Sequence, residues 1–363
     1  MNQLRKQSMK NNLFVNQRPY KYLATSEKNN AIIKLAFLGP QLLLLAVSKS
    51  YMSLAIILST CVASVGVELI DNNYNKKNVF HYITAVINGI LIGLFLPSNY
   101  PVYAALTISF LTIATCRFLI GKNADCWINT VALSVCVCWL LGMQVFPTYQ
   151  INQQILLMRN PALELIQNGT IPMLGVDAKI TSFFNRTIFS LFGVSIPDGY
   201  ISLFWDTQSL IPAFRFNLIT LITSIVLISI DVVKPLIPGI YILVYGILIY
   251  FASPFFYGAM SGQGDLLLAL LTSGILLSIL FLLQDTGKTP LSLWGKISYA
   301  VIAGMLAFLV VGPGTSPAGA VFVVLIMNVI SPIIQNLEHY FEMKHTKIEL
   351  MEKVKEFREG LDA

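Results

Sequence analysis

The residues of this sequence that could do chemistry are polar or ionisable side chains set inside apolar runs. Asn88 stands at the centre of one run, beside Gly89 and with Gly93 a turn further on. Thr272, Ser273 and Gly274 interrupt another, and Asn129 and Asn328 belong to two more. Glu68, Arg117, Asp231, Asp265 and Asp285 lie near the ends of such runs. If the runs cross a bilayer, every amide and hydroxyl in them needs a hydrogen-bond partner. That partner is a neighbouring helix, with the polar group as glue or as the cap of a broken helix, or else a bound ion or cofactor. Charged groups in such places are costly and point to ion pathways, unless they reach the interface on their own side-chain stems.

Other chemistries find little support. The sequence shows no phosphate-binding glycine loop, no zinc-type spacing and no nucleophile–base arrangement. His81 stands alone at the start of an apolar run, and His339 and His345 lie in a charged tail. Cys61, Cys116, Cys126, Cys136 and Cys138 all lie in or beside apolar runs. Two residues apart, Cys136 and Cys138 face different sides of a helix, so small apolar fillers are expected rather than a disulfide framework or cluster ligands.

Membrane-spanning helices must position these residues. The 363-residue chain is 55% hydrophobic and only 12% charged, about half the charge of an ordinary soluble domain. Its apolar runs approach the roughly 20 residues needed to cross a bilayer. The predicted fold class is an all-α polytopic membrane protein of about ten transmembrane helices in two five-helix repeats. Spans are expected at 31–47, 51–69, 81–96, 103–120, 128–143, 216–232, 236–251, 265–283, 296–311 and 319–337. The doubling shows in a helix–turn–helix at 81–129, with a looser copy near the C-terminus. There Ser273-Gly274-Ile275-Leu276 stands where Asn88-Gly89-Ile90-Leu91 stood. Paired, interrupted segments of this kind mark folds that build a site in mid-membrane between two repeats.

Charge placement sets the orientation. Lys76, Lys77, Arg117, Lys122, Lys234, Lys288 and Lys296 fall in alternate connections, and basic residues crowd the N-terminus. The positive-inside rule then puts both termini in the cytoplasm. The net charge of +6 reads as a topology signal, with the lipid bilayer as partner and no nucleic acid. The first 30 residues lack the pattern of a cleavable signal, so the first span is expected to direct targeting. The resulting organisation is a cytoplasmic segment at 1–30, a first repeat at 31–143, a long extracytoplasmic segment at 144–215, a second repeat at 216–337 and a cytoplasmic helical tail at 338–363. The long segment is punctuated by turn signals and exceeds an ordinary connection, as functional loops do. Within it, residues 181–194 read as an amphipathic stretch lying along the membrane surface. The tail carries acid and base residues at helical spacing, the pattern of a solvated helix.

Several stretches, in order, resemble one family. They are TAVINGILIGLFLPSNYPVYAAL; Arg117, in the place of a usual lysine; Trp127-Ile128-Asn129-Thr130-Val131-Ala132; Gly264-Asp265; Ser273-Gly274; Asp285 with Thr289-Pro290; and Pro317-Ala318-Gly319-Ala320 followed by Val324-Leu325-Ile326-Met327-Asn328. Together they resemble the D subunit of the Rnf electron-transport complex and its homologue, the B subunit of the sodium-pumping NADH:quinone oxidoreductase. The resemblance covers most of residues 33–337.

The resemblance implies a subunit of an Rnf- or Nqr-type translocase of the bacterial cytoplasmic (inner) membrane, not catalytic alone. It would relay electrons through bound flavin and couple this to Na⁺ or H⁺ transport, with the other subunits of the redox complex as partners. Family members carry FMN phosphodiester-linked to threonine in a Ser-Gly-Ala-Thr motif of the long segment. Here Asp177-Ala178 resembles the lead-in but that motif does not follow. Thr181 is the nearest hydroxyl, with Thr170 and Thr187 as alternatives, and a threonine with no such role is the other reading. The expected cofactor is FMN without the attachment motif, or riboflavin, held between the repeats. Asn88, Gly89, Gly93, Ser273 and Gly274 would approach it, although helix packing is the expected use of any one of the glycines. Asn129, Arg117, Asp265, Asp285 and Asn328 are the candidates for the ion or electron path. A non-redox transporter or channel of the same fold, or a scaffold subunit that has lost covalent FMN, are the alternatives. Asn88 and Asn129 are both expected to matter to coupled activity more than to assembly.

Overall fold

Ser26 opens the first helix: its hydroxyl accepts the Asn29 N–H at 3.3 Å, as an N-cap should. The computed structural model describes residues 26–75, 80–121, 127–147, 158, 161–258, 265–284, 288–314 and 316–359. The first set of apolar helices is α1 (Glu27–Val47), α2 (Tyr51–Asn75), α3 (Phe80–Phe95), α4 (Val102–Ala114) and α5 (Thr130–Leu141). The second is α9 (Asn217–Ser229), α10 (Leu236–Phe251), a broken helix, α14 (Leu293–Val311) and α15 (Gly319–Glu359). Between the sets lie α6 (Pro161–Gln167), α7 (Asp177–Thr187) and α8 (Tyr200–Trp205), and the short α11 (Ser253–Tyr257) follows α10. No strand occurs among the described residues.

Five stretches, Glu27–Val47, Tyr51–Asn72, Val102–Ile120, Leu293–Val311 and Gly319–Phe341, are long and apolar enough to cross a membrane, and four shorter apolar helices accompany them. The chain is an all-α, multi-pass membrane protein. Each expected span meets a helix, with instructive differences. α2 runs past 69 to Asn75 and carries Asp71 into an ion pair with Arg117. α4 passes into a π-helical turn, Thr115–Ile120, that carries Arg117; such turns often accompany functional sites. The eighth span breaks. α12 (Leu266–Leu271) stops at Thr272, Gly274 takes a left-handed φ of +68°, and α13 (Ile275–Ser278) restarts and ends in a second π-helical turn, Ile279–Leu283. Its counterpart in the first set, α3, is unbroken, so the looser copy differs from its partner at the Asn88/Ser273 position. The helical tail continues the last span, giving one helix of 41 residues.

Glycines let α2 and α3 touch backbone to backbone. A β-carbon on Gly89 would stand 2.5 Å from Cys61 Cα, and one on Gly93 2.6 Å from Ile57 Cα. Thr60 fills the seam, donating its hydroxyl to the Gly89 carbonyl at 2.8 Å. This spacing of small residues allows close helix approach. The space that a flat ligand would use beside Gly89 and Gly93 is therefore taken by α2. Gly304 of α14 does the same against α10, where a β-carbon would meet Val244 Cβ at 2.9 Å.

The connecting segment is tied down onto the ends of the helices. Ser98 N–H donates to Leu210 O at 2.8 Å. Arg215 makes a two-point ion pair with Asp206 (2.6 and 2.8 Å) and donates to Ser50 Oγ at 2.6 Å. Ala162, Leu165, Ile166 and Leu203 form a small apolar cluster with Leu268, Leu271 and Leu276 of the broken helix.

Candidate functional site

Asn129 is where the two sets of helices are joined by a buried polar contact. Its carboxamide oxygen caps α5, accepting from Val131 N and Ala132 N at 3.0 and 3.1 Å. Its amide donates to the carbonyl of Leu282 at 3.2 Å. That carbonyl lies in the π-helical turn, where the regular helical acceptor pattern is interrupted. One side chain thus satisfies three backbone groups of two helices, in a site only 3% exposed.

A cavity of about 110 Å³ opens beside it, walled by α1, α3 and α5 on one side and by Val232, Phe281, Leu282 and Gln284 of the second set on the other. Asn88 and Asn129, the two asparagines singled out in the sequence, both line it. Glu27 and Lys34 bring one charge of each sign, and Gln284 forms its far rim, held by paired bonds to the Lys234 backbone (3.1 and 3.0 Å). Asn88 is more loosely held than Asn129: its amide reaches Thr130 Oγ1 at 3.4 Å. From there hydroxyls continue into the first set, Ser134 donating to Thr130 O at 2.8 Å and meeting Thr112 Oγ1 at 2.7 Å. Small, lined by both polar and apolar side chains and set between the helix sets, the cavity has room for water and a small ion.

Arg117 forms a second charged centre. Its guanidinium reaches Asp71 at 2.7 Å and Glu68 at 3.2 Å, one turn apart on α2. The three groups are largely buried and carry a net formal charge of −1. Such a pair group holds together because removing one member strands the others. Asp71 was not singled out in the sequence because it falls in a polar run, Asp71-Asn72-Asn73-Tyr74-Asn75, that reads as a loop. Asp231, by contrast, sits exposed in a turn with φ +62°.

The other expected residues disperse. Ser273 Oγ and Thr272 Oγ1 bond back to Ala269 O and Leu268 O, the helix end that they terminate. Gly274 packs on aromatic rings, with Phe214 Cε1 only 2.5 Å and Phe95 Cε1 3.2 Å from where a β-carbon would stand. Asp265 caps α12 through Leu268 N at 3.0 Å and also accepts Ala162 N of α6 at 3.0 Å. Two helix starts therefore share one carboxylate, an arrangement their dipoles favour. Tyr200 stands near: burial first, and then the Asp265 charge, push its phenol up to about 12. Asn328 is buried in α15, and its side-chain nitrogen has no hydrogen-bond partner among the described residues. Asp285 and Cys126 lie outside the described residues. Cys116, Cys136 and Cys138 are buried thiols, and no group of His, Cys, Asp or Glu suited to a metal occurs among the described residues. Asn217 went unnoticed in the sequence, yet its amide reaches the carbonyls of Leu203, Phe214 and Leu271 at 3.2, 3.2 and 2.9 Å, supporting the break from below. An asparagine directly at the start of an apolar run was the available signal.

The order of these features matches a known pattern over almost the whole chain. The sequence profile of the NQR2, RnfD, RnfE family matches residues 14–344. The chain belongs to this family. It is similar, at 24% identity over 328 residues, to the D subunit of the Na(+)-translocating ferredoxin:NAD(+) oxidoreductase complex of Acetobacterium woodii, covering 89% of this chain and 93% of the relative. It is equally similar, 24% over 293 residues, to the D subunit of the proton-translocating ferredoxin:NAD(+) oxidoreductase complex of Clostridium ljungdahlii, with 78% and 81% covered. A shorter match, 35% over 78 residues, is to the D subunit of the ion-translocating oxidoreductase complex of Cellvibrio japonicus, about a fifth of each chain.

Membership in this family makes Thr181 a residue to test against a flavin. It is 3% exposed, on the inner side of α7, and its hydroxyl donates to Asp177 Oδ1 at 3.1 Å. Asp177 is wholly buried and also binds Gly199 N, Ser202 N and Ser202 Oγ, which fixes the start of α8. A phosphodiester on Thr181 would have to break that bond and enter space filled by α8, next to a carboxylate of its own sign. Thr181 does not fit covalent FMN. The inter-helix cavity is also below the roughly 300–1,000 Å³ of organic-ligand sites. The exposed threonines near Thr181 are Thr170 and Thr187.

Proposed function

We propose that the chain is the membrane-spanning subunit of an ion-translocating oxidoreductase complex, and that its own part is a section of the ion path. The family and two relatives matched over most of their length support the complex. The cavity that brings Asn88 and Asn129 together between the two helix sets supports the path, and it carries the reading. The Asn88 carboxamide oxygen and the Thr84 hydroxyl offer a cation neutral ligands, and Glu27 and Lys34 place one charge of each sign near the mouth. The Asn88–Thr130 contact, at 3.4 Å, is weak enough to yield to water or an ion.

The reading is tested in the complete complex in liposomes, measuring ion uptake and electron transfer together. Asn88→Leu is expected to lower ions moved per electron several-fold while electron transfer continues. An unchanged ratio removes the cavity from the path.

Flavin relay through this chain is the second reading, kept by the exposed Thr187 hydroxyl on the connecting segment. In-gel flavin fluorescence tests its linked form: a fluorescent band for this chain, lost in Thr187→Val, supports a covalently linked flavin, and a dark band rules out covalent linkage on this chain.

A further inference from the structure

α7 is amphipathic with its polarity reversed for a helix packed on a protein. Its inward side carries Asp177 and Thr181, both buried, and Asn185, which exchanges two bonds with the Ile196 backbone at 2.8 and 2.9 Å. Its outward side carries Val176, Ile180 and Phe183, and the 3₁₀ turn that follows (Phe189–Phe192) adds Leu191 and Phe192, 81% and 74% exposed. A soluble surface rarely shows so many large apolar groups together.

Charge and tethering say what covers this face. Lys179 and Arg186, both exposed and seven residues apart, flank the apolar stripe on one edge. The segment's acidic group at this helix, Asp177, is turned inward. An apolar stripe edged by cations is the pattern of a helix lying in a membrane interface, with lysine and arginine reaching the headgroups. The segment is also held at membrane level. Arg215 pins it to Ser50 in the α1–α2 turn, Asp265 pins it to the start of α12, and Phe216 leads straight into α9. Trp205 and Leu210, both exposed, carry the apolar surface along the chain toward α9, and tryptophan favours the interface.

We propose that residues 176–194 form an in-plane anchor seated in the leaflet on the Ser50 side of the protein, with Lys179 and Arg186 on anionic headgroups and Asp177 as the clamp that turns the apolar face outward. The anchor does not depend on the ion-path reading, because its residues are remote from the cavity between the helix sets.

The full-length chain in vesicles of phosphatidylcholine and phosphatidylglycerol, spin-labelled at Leu191→Cys or Ser182→Cys, tests it. Dissolved oxygen is expected to reach the Leu191 label several-fold better, relative to a water-soluble nickel chelate, than it reaches the Ser182 label. In vesicles without phosphatidylglycerol, that contrast should shrink, and Lys179→Gln with Arg186→Gln should produce the same loss. Equal nickel access at both positions overturns the proposal. So does a Leu191 label exposed in vesicles but closed to both probes in the intact complex, which would make the face a protein interface.

Discussion

The side-chain amide of Asn129 donates to the Leu282 carbonyl at 3.2 Å while its oxygen caps α5. This relation ties the fifth helix of the first set to the interrupted helix of the second across 153 residues of sequence. The two cavity asparagines therefore have different roles. Asn88 has one long hydrogen bond to Thr130, whereas Asn129 has three backbone partners.

Asn129→Leu is expected to act on stability. It removes an N-cap, worth about 1 kcal/mol, and strands a buried carbonyl, a further ~1–3 kcal/mol. Thermal unfolding of the purified chain in detergent should show a clear loss. Asn129→Ser, which can keep the cap but not reach Leu282, should fall between. Asn88→Leu should unfold close to wild type. For Asn129 this expected outcome runs against the expectation from sequence that both substitutions impair coupled activity more than assembly.

Arg117→Leu is expected to be among the most damaging single changes. It strips the guanidinium from two buried carboxylates one turn apart, Glu68 and Asp71, at a cost of about 3–5 kcal/mol. The triple change Arg117→Leu, Glu68→Gln, Asp71→Asn should recover most of the folded yield, read by fluorescence-detected size exclusion. If the triple change restores folding but ion uptake stays absent, the charged centre belongs to the path as well as to the fold.

Gly89→Val is expected to abolish accumulation in the membrane, since even a β-carbon would meet Cys61 backbone at 2.5 Å. Gly39, with nothing near its β-carbon position, is the control: Gly39→Ala should accumulate normally. Immunoblotting of membranes compares the two.

Thr181→Val is expected to leave the flavin content of the intact complex unchanged, measured by extraction and by in-gel fluorescence. Its effect should appear in stability, through the lost bond to buried Asp177. Loss of flavin from this chain on the substitution would show that the hydroxyl is released from Asp177 in the assembled state.

The spans were legible because apolar length alone decides them, and Gly89 and Gly93 were legible as sites of close approach. What approaches was not: the partner backbone at Cys61 and Ile57 leaves no periodic trace near the glycines. The pairing of Arg117 with Asp71 spans 46 residues, and Asp71 looked like the start of a loop because it opens the polar run Asp71-Asn72-Asn73-Tyr74-Asn75. The break at Thr272–Gly274 could be read as an interruption, but its support could not, since Asn217 acts from 54 residues away. Asp177 was legible as a lead-in to a flavin motif, and the fold uses it as a clamp.

The carboxylate of Asp265 holds the first turns of α12 and α6 together. A half-helix that tilts about Gly274 must therefore drag the connecting segment with it. Strain generated beside the Leu282 carbonyl would travel through the broken helix to the opposite face of the protein. The segment is in that sense a built-in strain gauge, and a distance probe placed on α6 would register events at the cavity without touching it.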